Sequence, residues 1–300
     1  MFRLAHLTDP HVGPLPRPRL YQLLNKRITG YVNWRRNRGA SHDMTLLGSL
    51  VADLRRVAPD HIACTGDLCN LGLPSEWESS RIFLDGLGPS DDVSFVPGNH
   101  DAYIDGSLEG LLRACAPFTM GDDGEVCRFP YLRRRGPIAL IGLSSAIPTL
   151  PFVASGRLGR RQTAATEALL ADLGRQGLYR IVMIHHPPHV GGAAPGRNLT
   201  DAPRLEEMLA RVGAELVIHG HNHVGSVAFL RGPGRARVPV IGAPSASARG
   251  GAIIHKAGYH LYTVDADQTG FLLTAQLRGL KPDGTIGDAG MISLGRERAA

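Results

Sequence analysis

Six short apolar runs recur along the chain, and each stops on a polar, Gly or Pro residue. They are RLAHLTD (3–9), HIACTGD (61–67), VSFVPGNHD (93–101), IALIGLSS (138–145), RIVMIHHPP (180–188) and ELVIHGHNH (215–223). Short runs of this kind, bounded by turn residues, predict buried strands. Helical patterns lie between several of them. Met44, Leu47, Val51 and Leu54 fall at helical spacing, and 160–175 and 203–211 are rich in Ala, Leu, Glu and Arg. Strands alternating with helices predict a layered α/β sheet. After residue 224 the pattern changes to SVAFLR, VPVIGAP, YHLYTVDAD and FLLTAQLRG, strands without helices. That shift predicts a second, largely antiparallel sheet stacked on the first. With no repeat or low-complexity linker, one domain is expected over 1–300, with a strand-rich part from about 224 and a frayed C-terminal end.

The residues that end the runs carry the chemistry. In chain order they are Asp9-Pro10-His11, Gly66-Asp67, Gly98-Asn99-His100-Asp101, His185-His186 and His221-Asn222-His223. In open α/β sheets, ligands gather at the carboxyl ends of strands, and neutral imidazole is the commonest metal ligand. Taken singly the pieces are weak, since Gly66-Asp67 also reads as a turn and Gly98-Asn99 as a hairpin signal. Side chains two apart on an extended backbone share a side, so His221 and His223 are expected to converge, with Asn222 facing away. Mixed O and N donors without thiolate favour Mn, Fe, Zn or Co. Cys64, Cys69, Cys115 and Cys127 show no CxxC spacing and read as free thiols in a reducing compartment.

The ordered set DxH, GD, GNHD, HHPP and GHNH resembles the calcineurin-like metallophosphoesterases over roughly residues 1–265. GDLCNLGLPSEWE and VPGNHDAY look most like the bacterial phosphodiesterase branch, which includes cyclic-nucleotide and glycerophosphodiester hydrolases. The resemblance implies two stacked mixed β-sheets flanked by helices, a four-layer αββα sandwich. It also implies two divalent or trivalent transition-metal ions, manganese, iron or zinc. Carried over by position, Asp9, His11 and His223 would hold one ion and Asn99, His185 and His221 the other, with Asp67 bridging. His185 is implied rather than His186 because the family's ligand precedes its proline by two positions. His100 would donate a proton to the leaving group with Asp101 orienting it, and Asn99 and His100 would touch substrate. His186 and His219 read as supporting residues. Asn70 stands where many relatives carry Asp, which bears on tuning of the site more than on metal binding.

The implied chemistry is hydrolysis. Two ions ~3.5–4 Å apart clamp a phosphoryl group and activate a bridging water, whose hydroxide attacks phosphorus in line. A phosphodiesterase is the expected activity. The competing readings are a phosphomonoesterase or pyrophosphatase, a nuclease, and a scaffold that keeps the fold without the metals. No GxxxxGK[ST] loop, GxSxG elbow or HExxH pair occurs.

Charge is concentrated in one place. Arg17, Arg19, Lys26, Arg27, Arg35, Arg36 and Arg38 lie between 17 and 38 without an acid among them, in a chain whose net charge is +6. Leu20, Leu23, Leu24, Ile28, Tyr31 and Val32 form an apolar stripe in the same segment. It reads either as a surface helix packed on the domain, or as a cap at about 15–40 that holds acidic headgroups or lies on a membrane. In the second reading Arg27 and Arg35 are candidate substrate contacts, Tyr31 and Trp34 suit an interface, and Gly30 weakens the helix. The expected partner is a small-molecule or lipid-linked phosphoester. A nucleic acid would need more basic charge beside the site, for which Arg133, Arg134, Arg135, Arg157, Arg160 and Arg161 are candidates. No secretory pattern precedes the first strand, and no apolar run reaches the ~18–20 residues of a membrane span. A cytoplasmic location is expected, with contact at the inner membrane face through 17–38.

Overall fold

The structure, a computed structural model, describes residues 1–36, 38–249, 256–267 and 270–297. Asn37 and the Arg38 side chain of the basic segment lie outside the described residues. The chain runs β1 (Phe2–Leu7), α1 (Arg27–Arg36), α2 (Met44–Val57), β2 (His61–Cys64), α3 (Pro74–Leu87) and β3 (Val93–Phe95). It continues through α4 (Ser107–Ala114), β4 (Tyr131–Arg135), β5 (Ile138–Gly142), α5 (Gly159–Arg175), β6 (Tyr179–Met183) and α6 (Ala202–Val212). Last come β7 (Leu216–His219), β8 (Ser226–Arg231), β9 (Arg237–Gly242), β10 (Gly258–Asp267), β11 (Gly270–Leu280) and β12 (Ile286–Glu297).

Two six-stranded sheets form, in the orders β12-β11-β10-β1-β2-β3 and β4-β5-β6-β7-β9-β8. Both are mixed. β1, β2 and β3 pair in parallel, as do β5, β6, β7 and β9. β10, β4 and β8 add antiparallel to them. Every residue of β5, β6 and β7 is buried, which is why these strands read as continuous apolar runs rather than alternating ones. Leu4, Ala63 and Val96 of one sheet pack with Leu140, Met183 and Ile218 of the other. Leu47 and Leu54 of α2, Leu84 of α3 and Leu111 of α4 cover the outer face of the first sheet. Leu170 of α5 with Leu205 and Met208 of α6 cover the second. The result is the expected αββα sandwich.

One expectation is corrected. The strands after residue 224 do not make a sheet of their own. β8 and β9 extend the sheet containing β7, while β10, β11 and β12 extend the one containing β1. Each parallel core has an open edge whose backbone groups need partners, and the C-terminal strands are divided between the two edges. Residues 286–297 are β12 rather than a frayed end, and 298–300 lie outside the described residues.

A single carboxylate fastens this extension to the helical layer. Asp53 on α2 accepts from Tyr259 Oη on β10 at 2.8 Å and from Arg278 Nε and Nη2 on β11 at 2.8 and 2.9 Å. Arg56 also donates to it. Burial pushes the Asp53 carboxyl up, but the hydrogen bonds from Arg278, Tyr259 and Arg56 outweigh it and hold the pKa at about 2. A depressed carboxyl contributes stability in full above its unfolded pKa of about 4 and loses it as pH falls toward the folded value. Asp53→Asn is therefore expected to cost about 3 kcal/mol at neutral pH, because Arg278 is left without its anion. The gap between variant and wild type should narrow as pH falls from about 4 to about 2. Urea unfolding at neutral and acid pH measures it, and a gap independent of pH would contradict the assignment.

Candidate metal centre

The loops that leave β1, β2 and β3 in one sheet and β6 and β7 in the other bring their polar ends together. They do so through unusual backbone. Asp9 (φ 50°), His11 (41°), Asp67 (56°), His221 (73°) and His223 (57°) are all left-handed, a conformation disfavoured for residues with a Cβ. Such residues persist where surrounding bonds over-determine them. Here Asp9 N–H donates to Gly66 O at 3.0 Å and His11 N–H to Asp67 O at 3.1 Å. Asp101 accepts the N–H groups of Asp67, Cys69 and Gly98 at 2.9, 3.0 and 2.8 Å. Asp9 Oδ2 accepts from Thr8 Oγ1 at 2.7 Å and from His221 N–H at 2.9 Å. Gly220 permits that last approach, since a Cβ there would strike Thr8 Oγ1 and Asp9 Oδ2.

The two histidines of GHNH do not converge along an extended strand, as their spacing suggested. β7 stops at His219, and the turns beyond it send the two rings apart. His221 Nδ1 lies 2.9 Å from Asn99 Oδ1 and 3.2 Å from His185 Nε2. His223 Nε2 lies 3.2 Å from Asp9 Oδ1 and 3.4 Å from His11 Nε2. Asn222 does turn away, donating to Gly192 O at 2.8 Å. Between the two groups, Asp67 Oδ2 is 3.9 Å from His11 Nε2 and 3.5 Å from His185 Nε2. The structure thus gathers His11 with His223 and Asp9, and His185 with His221 and Asn99, with Asp67 in reach of His11 and His185 and Asp9 also close to Asp67 and His185.

The ring orientations follow from carbonyls. A backbone carbonyl only accepts, so the imidazole nitrogen bound to it carries the proton. His11 Nδ1 donates to Cys69 O at 3.1 Å and His185 Nδ1 to Thr65 O at 2.7 Å, leaving both Nε2 lone pairs aimed inward. Asp9 Oδ1 is buried, with His223 Nε2 at 3.2 Å beside it. Burial pushes the Asp9 carboxyl up, but His223 and Thr8 outweigh it and keep the group ionised. Burial, with His186 and His185 nearby, lowers His221 well below the usual imidazole range, so its ring is neutral. Buried lone pairs facing one another around carboxylates repel unless cations lie among them. The donors are carboxylate, amide oxygen and imidazole without thiolate, and this set fits two transition-metal ions.

His185, His186 and His221 also offer nitrogens within reach of one another. His186 is nonetheless committed elsewhere. Its Nδ1 pairs with Ser145 Oγ at 2.7 Å and its Nε2 donates to Ala154 O at 3.1 Å. His219 is buried, with Nδ1 donating to Gly220 O at 3.1 Å. Both Asp101 oxygens are engaged by the three N–H groups above. The His100 ring donates from Nδ1–H to Asn70 O at 2.6 Å. Burial, then Asp67, raises the Asp101 carboxyl to about 7. Asn70 is held in turn by Glu76, which accepts the N–H groups of Asn70, Leu71 and Leu73 at 2.6, 3.0 and 2.9 Å.

Residues 2–225 match the calcineurin-like phosphoesterase family. The chain belongs to that family. A glycerophosphodiester phosphodiesterase of Enterobacter lignolyticus is 28% identical over 223 residues, 73% of this chain and 70% of the relative. A Synechococcus protein named "probable cyclic nucleotide phosphodiesterase" is 29% identical over 191 residues, 62% of this chain and 65% of the relative. Among solved structures, a dimetal phosphatase from Danio rerio superposes with a TM-score of 0.66 at 15% identity, covering 99% of both chains. A yellow lupin purple acid phosphatase gives 0.61 at 16% identity, covering 97% of this chain and 53% of that one. At such identities the superpositions speak for the fold. The protein is a metal-dependent phosphoester hydrolase with clusters able to hold two ions.

A cleft of about 1380 Å³ opens over the centre of this phosphoesterase, with Asp67, Asn99, His100, His221 and His223 in its lining. α1 forms one wall, contributing Ile28, Val32, Trp34 and Arg36, and Tyr103 and Arg197 lie on the lining as well. The expected roles of Arg27 and Arg35 are corrected by this placement. Arg27 is buried, with Nε donating to Leu71 O at 2.9 Å and Nη2 donating to Gly72 O. It pins the cap. Arg35 is exposed and off the lining, where Lys26, Arg36, Arg197 and Arg249 are the cations instead. Gly30 has a packing reason, since a Cβ there would strike Tyr103 Oη and Leu71. Tyr31 and Trp34 pack inward on Leu15, Leu71, Leu73 and Tyr103, whereas Leu20 and Leu24 of the same stripe are exposed. Arg133 is buried and donates to Met120 O and Val93 O, each at 2.8 Å, and Arg135 pairs with Asp122 at 3.0 Å. They do not extend a basic track.

Sequence reasoning missed His42. Its ring lies 4.6 Å from that of His11 and 5.9 Å from that of His223, and Nδ1 pairs with Ser247 Oγ at 2.7 Å. Nothing in RGASHDM sets it apart from a surface histidine. The neighbouring pair 185–186 supplies a direct check. Reconstituted with manganese and assayed for bound metal, His185→Ala should lose about half the metal of the wild type. His186→Ala should retain nearly all of it. The reverse result would displace the site by one residue.

Proposed function

We propose that this phosphoesterase hydrolyses phosphodiesters at two divalent ions, with Asp9, His11 and His223 holding one, Asn99, His185 and His221 the other, and Asp67 shared. The observation that most supports the reading is Asp67 Oδ2 facing His11 Nε2 at 3.9 Å and His185 Nε2 at 3.5 Å, one carboxylate within reach of both histidine clusters. Bound there, the ions would polarise the phosphoryl oxygens and make an attacking water acidic.

The chain's own groups do the rest. His100 carries its Nδ1 proton on Asn70 O, so only Nε2 of the protonated ring can give a proton to a departing alkoxide. His100 N–H donates to Asp67 Oδ1 at 2.7 Å, tying the acid to the shared carboxylate. Arg36 and Arg197 on the lining suit an anionic substrate. The cleft exceeds the roughly 300–1,000 Å³ of an ordinary small-molecule pocket, which favours an ester with organic groups on both sides of phosphorus. Residues 15–40 act as a cap on a single catalytic unit. Manganese, iron and zinc all suit the donors.

Asp67→Ala should lose both ions and turnover, since both sets of donors lose the carboxylate they share. Full occupancy of two metals in that variant would sink the assignment. His100→Ala should keep its metal yet lose kcat by about 10²–10⁴-fold on alkyl diesters. On p-nitrophenyl diesters, whose leaving group needs little proton assistance, the loss should be much smaller. Equal losses on the two substrates would remove His100 as the acid.

A further inference from the structure

The mouth of the cleft is framed by two segments far apart in the chain. In the cap, Leu20 and Leu24 are each 85% exposed. In the loop between β5 and α5, Leu150 is 76% and Phe152 90% exposed. Lys26 joins the two segments, its Nζ donating to Thr149 Oγ1 at 2.8 Å and to Val153 O at 3.5 Å. Ile28, Val32 and Phe152 line the cleft, so the apolar rim continues into the cavity.

Phe152 is held outward by a network of bonds. Thr149 Oγ1 donates to Val153 O at 2.6 Å, Val153 N–H to Leu150 O at 3.1 Å and Ala154 N–H to Gly196 O at 2.7 Å. These bonds leave Phe152 at φ 65°, a left-handed conformation that a bulky residue rarely adopts. Strain that displays an aromatic ring to water points to a partner for the ring.

Charge selects the partner. Arg17, Arg19, Lys26, Arg35 and Arg36 accompany the cap's apolar residues, and the segment from 17 to 38 contains no acid. Apolar side chains among cations alone match the boundary of an anionic bilayer, where acyl chains take the first and phosphate headgroups the second. A second copy of the chain would bring the same positive rim and be repelled. We propose that this lip docks on an anionic lipid surface and that the cleft takes a membrane-borne, amphiphilic phosphoester from it. The apolar part of that ester lies along Ile28, Val32 and Phe152. The substrate half of this inference rests on the metal-centre reading above, and the docking half does not.

Vesicle flotation with the full chain tests it. Protein should float with vesicles of phosphatidylglycerol and phosphatidylcholine at least about tenfold better than with phosphatidylcholine alone. Leu20→Ser/Leu24→Ser/Leu150→Ser changes only exposed side chains off the cleft lining. It should lower vesicle binding about tenfold, while manganese-supported hydrolysis of bis(p-nitrophenyl) phosphate is unchanged. Wild-type protein that ignores anionic vesicles, or a triple variant that binds them as well as wild type, overturns the lip. A triple variant with altered hydrodynamic mass and unaltered flotation also overturns it, making the patch a contact between copies. Flotation without hydrolysis of the diester under any metal would retain the docking and remove the phosphodiesterase reading. Hydrolysis without flotation does the opposite.

Discussion

The apolar contact between the two sheets sets the distance on which everything at the centre depends. Asp9, Asp67 and Asn99 leave strands of one sheet, and His185, His221 and His223 follow strands of the other. No single element carries both halves of the donor set. Leu4, Ala63 and Val96 against Met183 and Ile218, all essentially excluded from solvent, therefore act as the spacer of a catalytic centre as well as a core. Among the bonds that cross the junction directly are His185 Nδ1 to Thr65 O and His221 N–H to Asp9 Oδ2. A large-to-small change in that layer carries a cavity cost of about 2–5 kcal/mol, and its effect would reach donors that it never touches.

Above the spacer, buried carboxylates organise backbone. Asp101 gathers three amides from the loops after β2 and β3, and Glu76 gathers three from the loop before α3. Carboxylate-to-amide bonds are among the stronger hydrogen bonds available to a protein. Those of Asp101 fix the backbone at Asp67, one of the five left-handed residues. The inward lone pairs of His11 and His185 are a product of the same backbone, because carbonyls of Cys69 and Thr65 fix their tautomers.

Much of this was legible as residue order. The strands were readable because β5, β6 and β7 are buried on both faces, and the candidate donors because they follow those runs directly. The directions of side chains were not. A period-of-two argument assumes extended backbone, and His221 and His223 lie where that assumption fails. Sheet membership of β8 to β12 depends on pairing across more than 200 residues in the case of β1 with β10, for which no local signal exists. α3 and α4 escaped as well, since α4 is short and carries Gly110 against Trp77. Counting arginines located the basic segment but could not separate buried Arg27 from Arg36 on the cleft lining.

The loop that begins at Asn70 has a consequence for how such an enzyme can change. Arg27 of the cap grips the carbonyls of Leu71 and Gly72, while the carbonyl of Asn70 steers His100. The α1 segment and the proposed proton donor hang from adjacent peptide units, and Glu76 braces both. An α1 segment transplanted from a relative would arrive with a new grip on that span and so shift the His100 ring along with the cleft wall. The heritable module for altering the cleft wall is therefore discontinuous: the α1 segment together with residues 70–76, exchanged as one.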